Sequence, residues 1–264
     1  MQQAEDFLAE SEALYGLVAS LDEADMERPT AFKGWTINHV IRHLHVWNFA
    51  ADLSLTDGDA FQAFFDRVGS RIAGSLKDFE TEWLEGLAGA ALVERWRSFY
   101  TEMADRFGAA DPSMRVRWAG PDMSVRSSIT ARLMETWAHG QEVYDELGVV
   151  RVNQDRIRNI AVLGNNTHGW TYAVRGEAPP VPVPHLVLTA PSGAIWRYNE
   201  PSHVERIEGL AEAFCQVVTQ VRNIADTDLV VTGPNATDWM SKAQCFAGPP
   251  ETPPAPGTRR TRAA

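Results

Sequence analysis

Cysteine is almost absent from this chain: Cys215 and Cys245 are its two examples in 264 residues. A disulfide framework is thereby excluded. Both thiols fall in apolar helical patterns, which predicts buried, inert sulfhydryls in a reducing compartment. Positive charge is scarce too, with 24 Lys and Arg against 35 Asp and Glu and a formal net charge of −11. Binding phosphates relies on Lys and Arg, so no nucleic-acid partner is expected. Long hydrophobic runs are missing, and none approaches the ~20 residues that a membrane helix needs. The first thirty residues carry Glu and Asp throughout, with no basic segment leading into an apolar core. No signal peptide and no membrane partner is expected, and the predicted location is cytoplasmic. What is present, 44% hydrophobic and 22% charged residues, describes an ordinary globular protein of a length comfortable for two domains.

Hydrophobic spacing predicts a helical first part. Residues 3–22 carry Phe7, Leu8, Leu14, Leu17, Val18 and Leu21 at helical intervals, with acidic residues at the start where the helix dipole favours them. Pro29 and Gly34 break the chain before Thr36, whose hydroxyl is suited to cap a second helix running to about Leu55. Ala60–Lys77 and Ala88–Phe107 read as further helices. Met114–Trp118 is a short extended piece, and Ser124 opens a long helix that Gly148 stops. Another helix is expected over Asn153–Arg175. Four substantial helices with modest connections imply an antiparallel four-helix bundle.

The proline-rich stretch Gly176–His185 cannot be helical and is the expected domain boundary. Beyond it His185–Thr189 and Ala194–Tyr198 read as strands around a Pro-Ser-Gly turn, and His203–Glu208 and Asp228–Thr232 as two more. With helices over Leu210–Arg222 and Asn235–Phe246 these make a small α+β domain. The expected organisation is a helical bundle over 1–175, an α+β domain over 176–247 and a disordered tail over 248–264, rich in Pro and carrying Arg259, Arg260 and Arg262.

Two stretches concentrate the chemistry. GWTINHVIRHLHVWN, Gly34–Asn48, holds His39, His43 and His45, with His39 and His43 one turn apart. His43 shares the inward side with Val40 and Trp47. His45, about 200° away at the helix's ~100° step, is expected to face outward. ETWAHG, Glu135–Gly140, sets a carboxylate and an imidazole at i and i+4. By residue type Glu135, His139 and His43 make a three-ligand metal site with an open position. The set suits zinc and also the non-haem ferrous oxygenases, so residue type does not settle the metal. Two ordinary readings stand beside it: His43 as a satisfied core histidine, and Glu135–His139 as a solvated helical pair with Arg132 one turn before in a surface ion pair.

GWTINHVIRHL and ETWAHGQEVYDELG resemble the N-terminal bundle of the mycothiol-dependent maleylpyruvate isomerase family, within the wider DinB-like superfamily. The resemblance spans roughly residues 1–175. It implies a metal site on His43, Glu135 and His139, whereas His39 matches a position that is not a ligand. It departs at one place: the family commonly has Asn four residues after the helix-two His, where this chain has Trp47, with Asn48 next. FCQVVTQVRNIADTDLVVTG and DWMSKAQCFAGPP resemble the sterol-carrier-like C-terminal α+β domain of an actinobacterial subgroup of metal-binding proteins.

Three functions follow as expectations. The resemblance implies a metal-dependent enzyme, with zinc as the expected ion, that activates a low-molecular-weight thiol such as mycothiol for S-transfer or isomerisation of a small electrophile. A hydrolase using metal-bound water, with Glu142 as base, is a second reading; a non-catalytic metal or small-ligand carrier is a third. Arg132, Arg222 and His168 are candidates for holding the thiol or substrate. His168 is expected either at the pocket mouth or on a helix surface. A homodimer is one arrangement open to such a chain.

Overall fold

The computed structural model describes residues 1–71 and 75–261, in two compact units, Met1–Leu147 and Gly148–Ala264. Residues 72–74 of the expected Ala60–Lys77 helix, and Arg262, lie outside the described residues. The first unit is built on α1 (Gln2–Val18), a one-turn α2 (Glu23–Met26), α3 (Ile37–Thr56), α4 (Gly58–Arg71), α5 (Leu76–Trp83) and α6 (Gly89–Ala109). A two-residue ribbon, β1 (Arg115–Val116) with β2 (Met123–Ser124), then leads into α7 (Val125–Glu146). Helices α1, α3, α6 and α7 form the bundle: α1 and α3 each pack against both α6 and α7. Its core is apolar and large-grained, with Phe7, Leu14, Ile37, Leu92, Trp96, Tyr100, Phe107 and Trp137 fully buried. Among the described residues no helix is long and apolar enough to cross a membrane.

Local chemistry sets where α3 and α7 begin. Thr36 accepts from the His39 amide, and the His39 side chain reaches back to the Thr36 amide, a reciprocal capping box. His39 is therefore engaged in starting its own helix. Ser124 caps α7 through the Ser127 amide, and Gly148, at φ 69°, provides the left-handed turn just beyond the helix end.

Helix α3 is enclosed on more sides than its periodicity suggests. Helices α4 and α5 pack on it in addition to α6 and α7. His45, expected to face outward, is instead buried at 2% exposure, edge-on to Phe99 at 5.2 Å and beside Trp83 at 6.3 Å. Burial, with a smaller contribution from Arg95, lowers its pKa to about 4. A helix with one buried face would expose His45, but α3 has two buried faces.

The second unit opens with a 3-10 turn (Asp155–Ile157), α8 (Arg158–Asn166) and α9 (His168–Ala173), which replace the single helix expected over 153–175. Strands β3 (His185–Thr189), β4 (Ile195–Tyr198), β5 (Arg206–Leu210) and β6 (Val230–Thr232) form one sheet in the order β4-β3-β5-β6. Pairing is antiparallel except between β3 and β5, where Leu186 aligns with Ile207 and Leu188 with Gly209. Helix α10 (Ala211–Val218) covers β3 and β5 and also packs on α8, while α11 (Pro234–Lys242) packs on β6 and α9. Gly233, at φ 95°, admits the close approach of Val204 O, which lets the Glu205 carboxylate accept from the Asn235 and Ala236 amides and cap α11.

The compact units divide the chain differently from the proline-based expectation. Helices α8 and α9 bury their apolar sides against α10 and α11, so residues 148–175 group with the sheet and not with the bundle. Proline marks a break in regular structure, which need not be a break in packing. The stretch expected to be a disordered tail also differs over its described part. Asn223 donates to Pro254 O at 2.8 Å, Gly257 N donates to Asp226 at 2.8 Å, and Arg259 donates to Gln220 O at 2.8 Å. Cys215 and Cys245 are buried thiols outside any disulfide among the described residues, as expected.

Helix α8 meets α10 through Gly164, where an added Cβ would lie 2.8 Å from Val218 Cγ2 and 3.1 Å from Phe214 Cε1. Gly164→Ala is expected to destabilise the protein by roughly 1–3 kcal/mol through overpacking. Gly169→Ala, in open space on α9, should be neutral or slightly stabilising. Denaturant midpoints compared across the two variants check this, and equal midpoints would refute the close contact.

Candidate metal centre

The site lies where α3 and α7 face each other within the first unit. His43 comes from the second turn of α3; Glu135 and His139 sit one turn apart on α7. Their ligand atoms all lie within 4.8 Å of one another. His139 Nε2 is 3.4 Å from Glu135 Oε2, and His43 Nε2 is 4.0 Å from the same oxygen. The two imidazole rings meet edge-on at 4.7 Å.

An aromatic wall closes one side. Lys33 and Gly34 both adopt positive φ, at 51° and 66°, and fold the segment back so that Thr30 N donates to Trp35 O at 2.8 Å. Gly34 takes that conformation without the strain that a Cβ brings. The turn stacks Trp35 on His139 at 5.6 Å, sets Phe32 edge-on to His139 at 5.0 Å, and brings Trp35 within 5.0 Å of His43.

Behind the histidine lies a residue that the sequence did not single out. Glu80, on α5 and 1% exposed, accepts a hydrogen bond from His43 Nδ1 at 2.7 Å and one from Trp47 Nε1 at 3.0 Å, both on Oε1. No spacing rule links positions 43 and 80, and α5 was not among the expected helices. The one available signal was the departure at Trp47, whose indole N–H needs a buried acceptor.

Arg132 departs from the surface ion pair considered for it. It is 2% exposed, and its Nε donates to Asn48 Oδ1 at 3.0 Å, while Nη2 has no hydrogen-bond partner among the described residues. Burial lowers its pKa to about 10, against the attraction of Glu135 and Glu80. Glu135 shows the opposite balance. Burial alone would raise its pKa, but the hydrogen bond and charge of His139, with Arg132 and His43, bring it down to about 2. His139 is lowered chiefly by burial, with His43 and Arg132 adding to the effect and Glu135 opposing it. A carboxylate and neutral imidazoles are the protonation states that metal ligation requires.

The donor set fits a divalent cation. Two imidazole nitrogens and one carboxylate oxygen form a recurrent zinc set, and bonds of about 2.0–2.1 Å in a tetrahedron place ligand atoms about 3.3 Å apart. The Glu135–His139 edge matches that spacing, and the Glu135–His43 edge is longer by less than an ångström. Three protein donors would leave a four-coordinate cation one position for a ligand from outside the protein.

The other candidates lie in the second unit. His168 is buried at 5% exposure in that unit's core, edge-on to Trp239 at 4.8 Å and beside Tyr172 at 5.2 Å. It occupies neither a helix surface nor an exposed rim. Arg222 is buried and donates to Val221 O at 2.9 Å.

The model of the mycothiol maleylpyruvate isomerase N-terminal domain matches residues 7–144, a span that contains the whole site. The chain belongs to that family. An uncharacterized protein of Mycobacterium tuberculosis, found in strains CDC 1551 / Oshkosh and ATCC 25618 / H37Rv, is 39% identical over 246 residues, covering 93% of this chain and 95% of its own length. Among solved structures, the mycothiol-dependent maleylpyruvate isomerase aligns with a TM-score of 0.54 at 15% identity, over 82% of this chain and 87% of its own. A histidine-to-alanine variant of that isomerase aligns with a TM-score of 0.53 at 14% identity. These two establish a shared fold, a helical N-terminal region with a small C-terminal sheet domain, and so the α+β class expected from the sequence.

Burial lowers the pKa of His168, so the folded protein keeps it neutral where an unfolded chain, with its histidine near ~6.5, takes up a proton. The unfolded state then binds more protons, and stability falls as pH drops below that range. His168→Phe should flatten the fall. Unfolding free energies compared at neutral and mildly acidic pH test it, and an unchanged pH slope would count against it.

Proposed function

We propose that this protein is a metal-dependent enzyme that activates a low-molecular-weight thiol for attack on a small electrophile, giving S-transfer or isomerisation. The observation that carries this reading is the convergence of His43, Glu135 and His139 on one point between α3 and α7. Membership in the mycothiol maleylpyruvate isomerase family supports mycothiol as the thiol, and the nitrogen–oxygen donor set supports zinc as the ion. A reducing, cytoplasmic setting suits both the buried thiols and a thiol cosubstrate.

His43, Glu135 and His139 would hold the cation; once bound, it supplies charge that favours the thiolate over the thiol and polarises a substrate carbonyl. The chain's own groups do the rest. Trp35 and Phe32 shield His139 from water and form an apolar wall against which a substrate carbon skeleton can lie. Arg132 places a buried positive charge one turn from Glu135, which favours anionic over neutral occupants. The thiolate sulfur then forms a bond to the electrophilic carbon. Where that carbon bears a leaving group, the group departs with its bonding pair and S-transfer is complete. Where it ends a double bond conjugated with a carbonyl, the π pair moves onto the carbonyl oxygen and the resulting single bond rotates. Return of the pair re-forms the double bond as the thiolate leaves, which completes a cis–trans isomerisation.

His43→Ala and His139→Ala should each lose most of the bound metal while helical content persists, and thiol consumption with model electrophiles should fall in step. Elemental analysis and a thiol assay on the zinc-loaded protein check both. A full metal complement in the two variants would overturn the ligand assignment. Ester hydrolysis without thiol consumption would replace the thiol reading with the hydrolytic one.

A further inference from the structure

We infer that Glu80 is a positioning residue for the metal centre, fixing the tautomer and the orientation of His43, with Trp47 as the second anchor of the same carboxylate oxygen. The inference rests on the proposed metal role of His43, Glu135 and His139, but its central claim concerns the imidazole and holds in the metal-free protein.

The donors determine the tautomer. Trp47 Nε1 carries a hydrogen and can only donate, so Glu80 Oε1 receives one hydrogen bond from it at 3.0 Å. The same oxygen lies 2.7 Å from His43 Nδ1. A carboxylate oxygen only accepts, so the imidazole proton sits on Nδ1. In the neutral ring that ligation requires, this leaves the lone pair on Nε2, the nitrogen that faces Glu135 Oε2 at 4.0 Å and the site. The opposite tautomer would point an N–H into the site and leave Nδ1 and Oε1 as two facing acceptors in a buried space.

Orientation follows from the same two bonds. Both donors lie on α3, one turn apart, and the acceptor lies on α5, so the carboxylate ties the two helices together at this level. Glu80 is 1% exposed, so water does not compete effectively for either bond. Trp35 stands 5.0 Å from the His43 ring and restricts its rotation from the other side. Carboxylates that receive the second nitrogen of a ligating histidine fix its tautomer and raise its basicity toward a cation. The adjacent residues serve different partners: the Trp47 indole donates to Glu80, while Asn48 accepts from Arg132.

The test uses the full chain with Glu80→Ala, Glu80→Gln and Trp47→Phe. Nitrogen-15 shifts of the His43 ring in the metal-free protein read the tautomer, and chelator competition with zinc reads affinity. Glu80→Ala should move His43 away from a pure Nδ1–H form and weaken zinc binding by roughly 10–100-fold. Glu80→Gln retains a carbonyl acceptor of nearly the same shape, so the tautomer should hold while affinity falls less. Trp47→Phe should produce the smallest loss. Glu80→Gln keeps the experiment decisive if Glu80→Ala does not fold. Wild-type ring shifts in Glu80→Ala, or wild-type zinc affinity in both Glu80 variants, would overturn the inference. If the wild-type protein binds no zinc, the metal reading fails by itself, and the ring shifts still decide the role of Glu80.

Discussion

The arrangement depends on one contact, the face-to-face packing of α3 against α7 at the level of His43. Around it the bundle is filled by Trp96, Trp137, Tyr100 and Phe107, all fully buried, which leave the helix axes little freedom. Polar groups taken into such an interior are unfavourable unless they find partners. Here the ligand atoms of His43, Glu135 and His139 lie within 4.8 Å of one another, and Glu80 satisfies the back of His43. A core selected for stability alone would place Leu or Ile at these positions. Their presence on two facing helices is a cost to folding that a bound cation would offset.

Charge reinforces that reading. Arg132 is enclosed in the same unit with Asn48 as its hydrogen-bond partner, and it lies close enough to Glu135 and Glu80 for each to feel its field. Buried charges persist where they are matched, and the centre combines two carboxylates, one guanidinium and two imidazoles in a small volume. The lowered pKa values of Glu135 and His139 describe groups already in the protonation states of ligands. Little rearrangement of protons at these two residues would be needed if a cation entered.

The second unit contributes a different kind of order. Its four-stranded sheet is covered by α10, and the described part of the C-terminal segment is tied to residues 220–226 by hydrogen bonds. The 39% identity to the mycobacterial protein extends through both units, whereas the family model stops at residue 144. The bundle therefore carries the family's features, and the sheet unit belongs to a pairing that the mycobacterial relative shares over 95% of its length.

Much was legible without coordinates. Helix starts at Thr36 and Ser124 follow from side chains that accept backbone hydrogen bonds, a local effect that sequence records directly. The i, i+4 spacing of Glu135 and His139 placed both on one face of α7, and the strands after the proline-rich stretch followed from their alternation and turns. Glu80, the burial of His45, the enclosure of Arg132 and the grouping of 148–175 with the sheet were not legible. Each depends on which segment covers a surface, and residues far apart in the chain decide that. Periodicity states which residues share a side of a helix; only the packed structure, with α4 and α5 laid across α3, determines how many of those sides are buried and what waits behind each one.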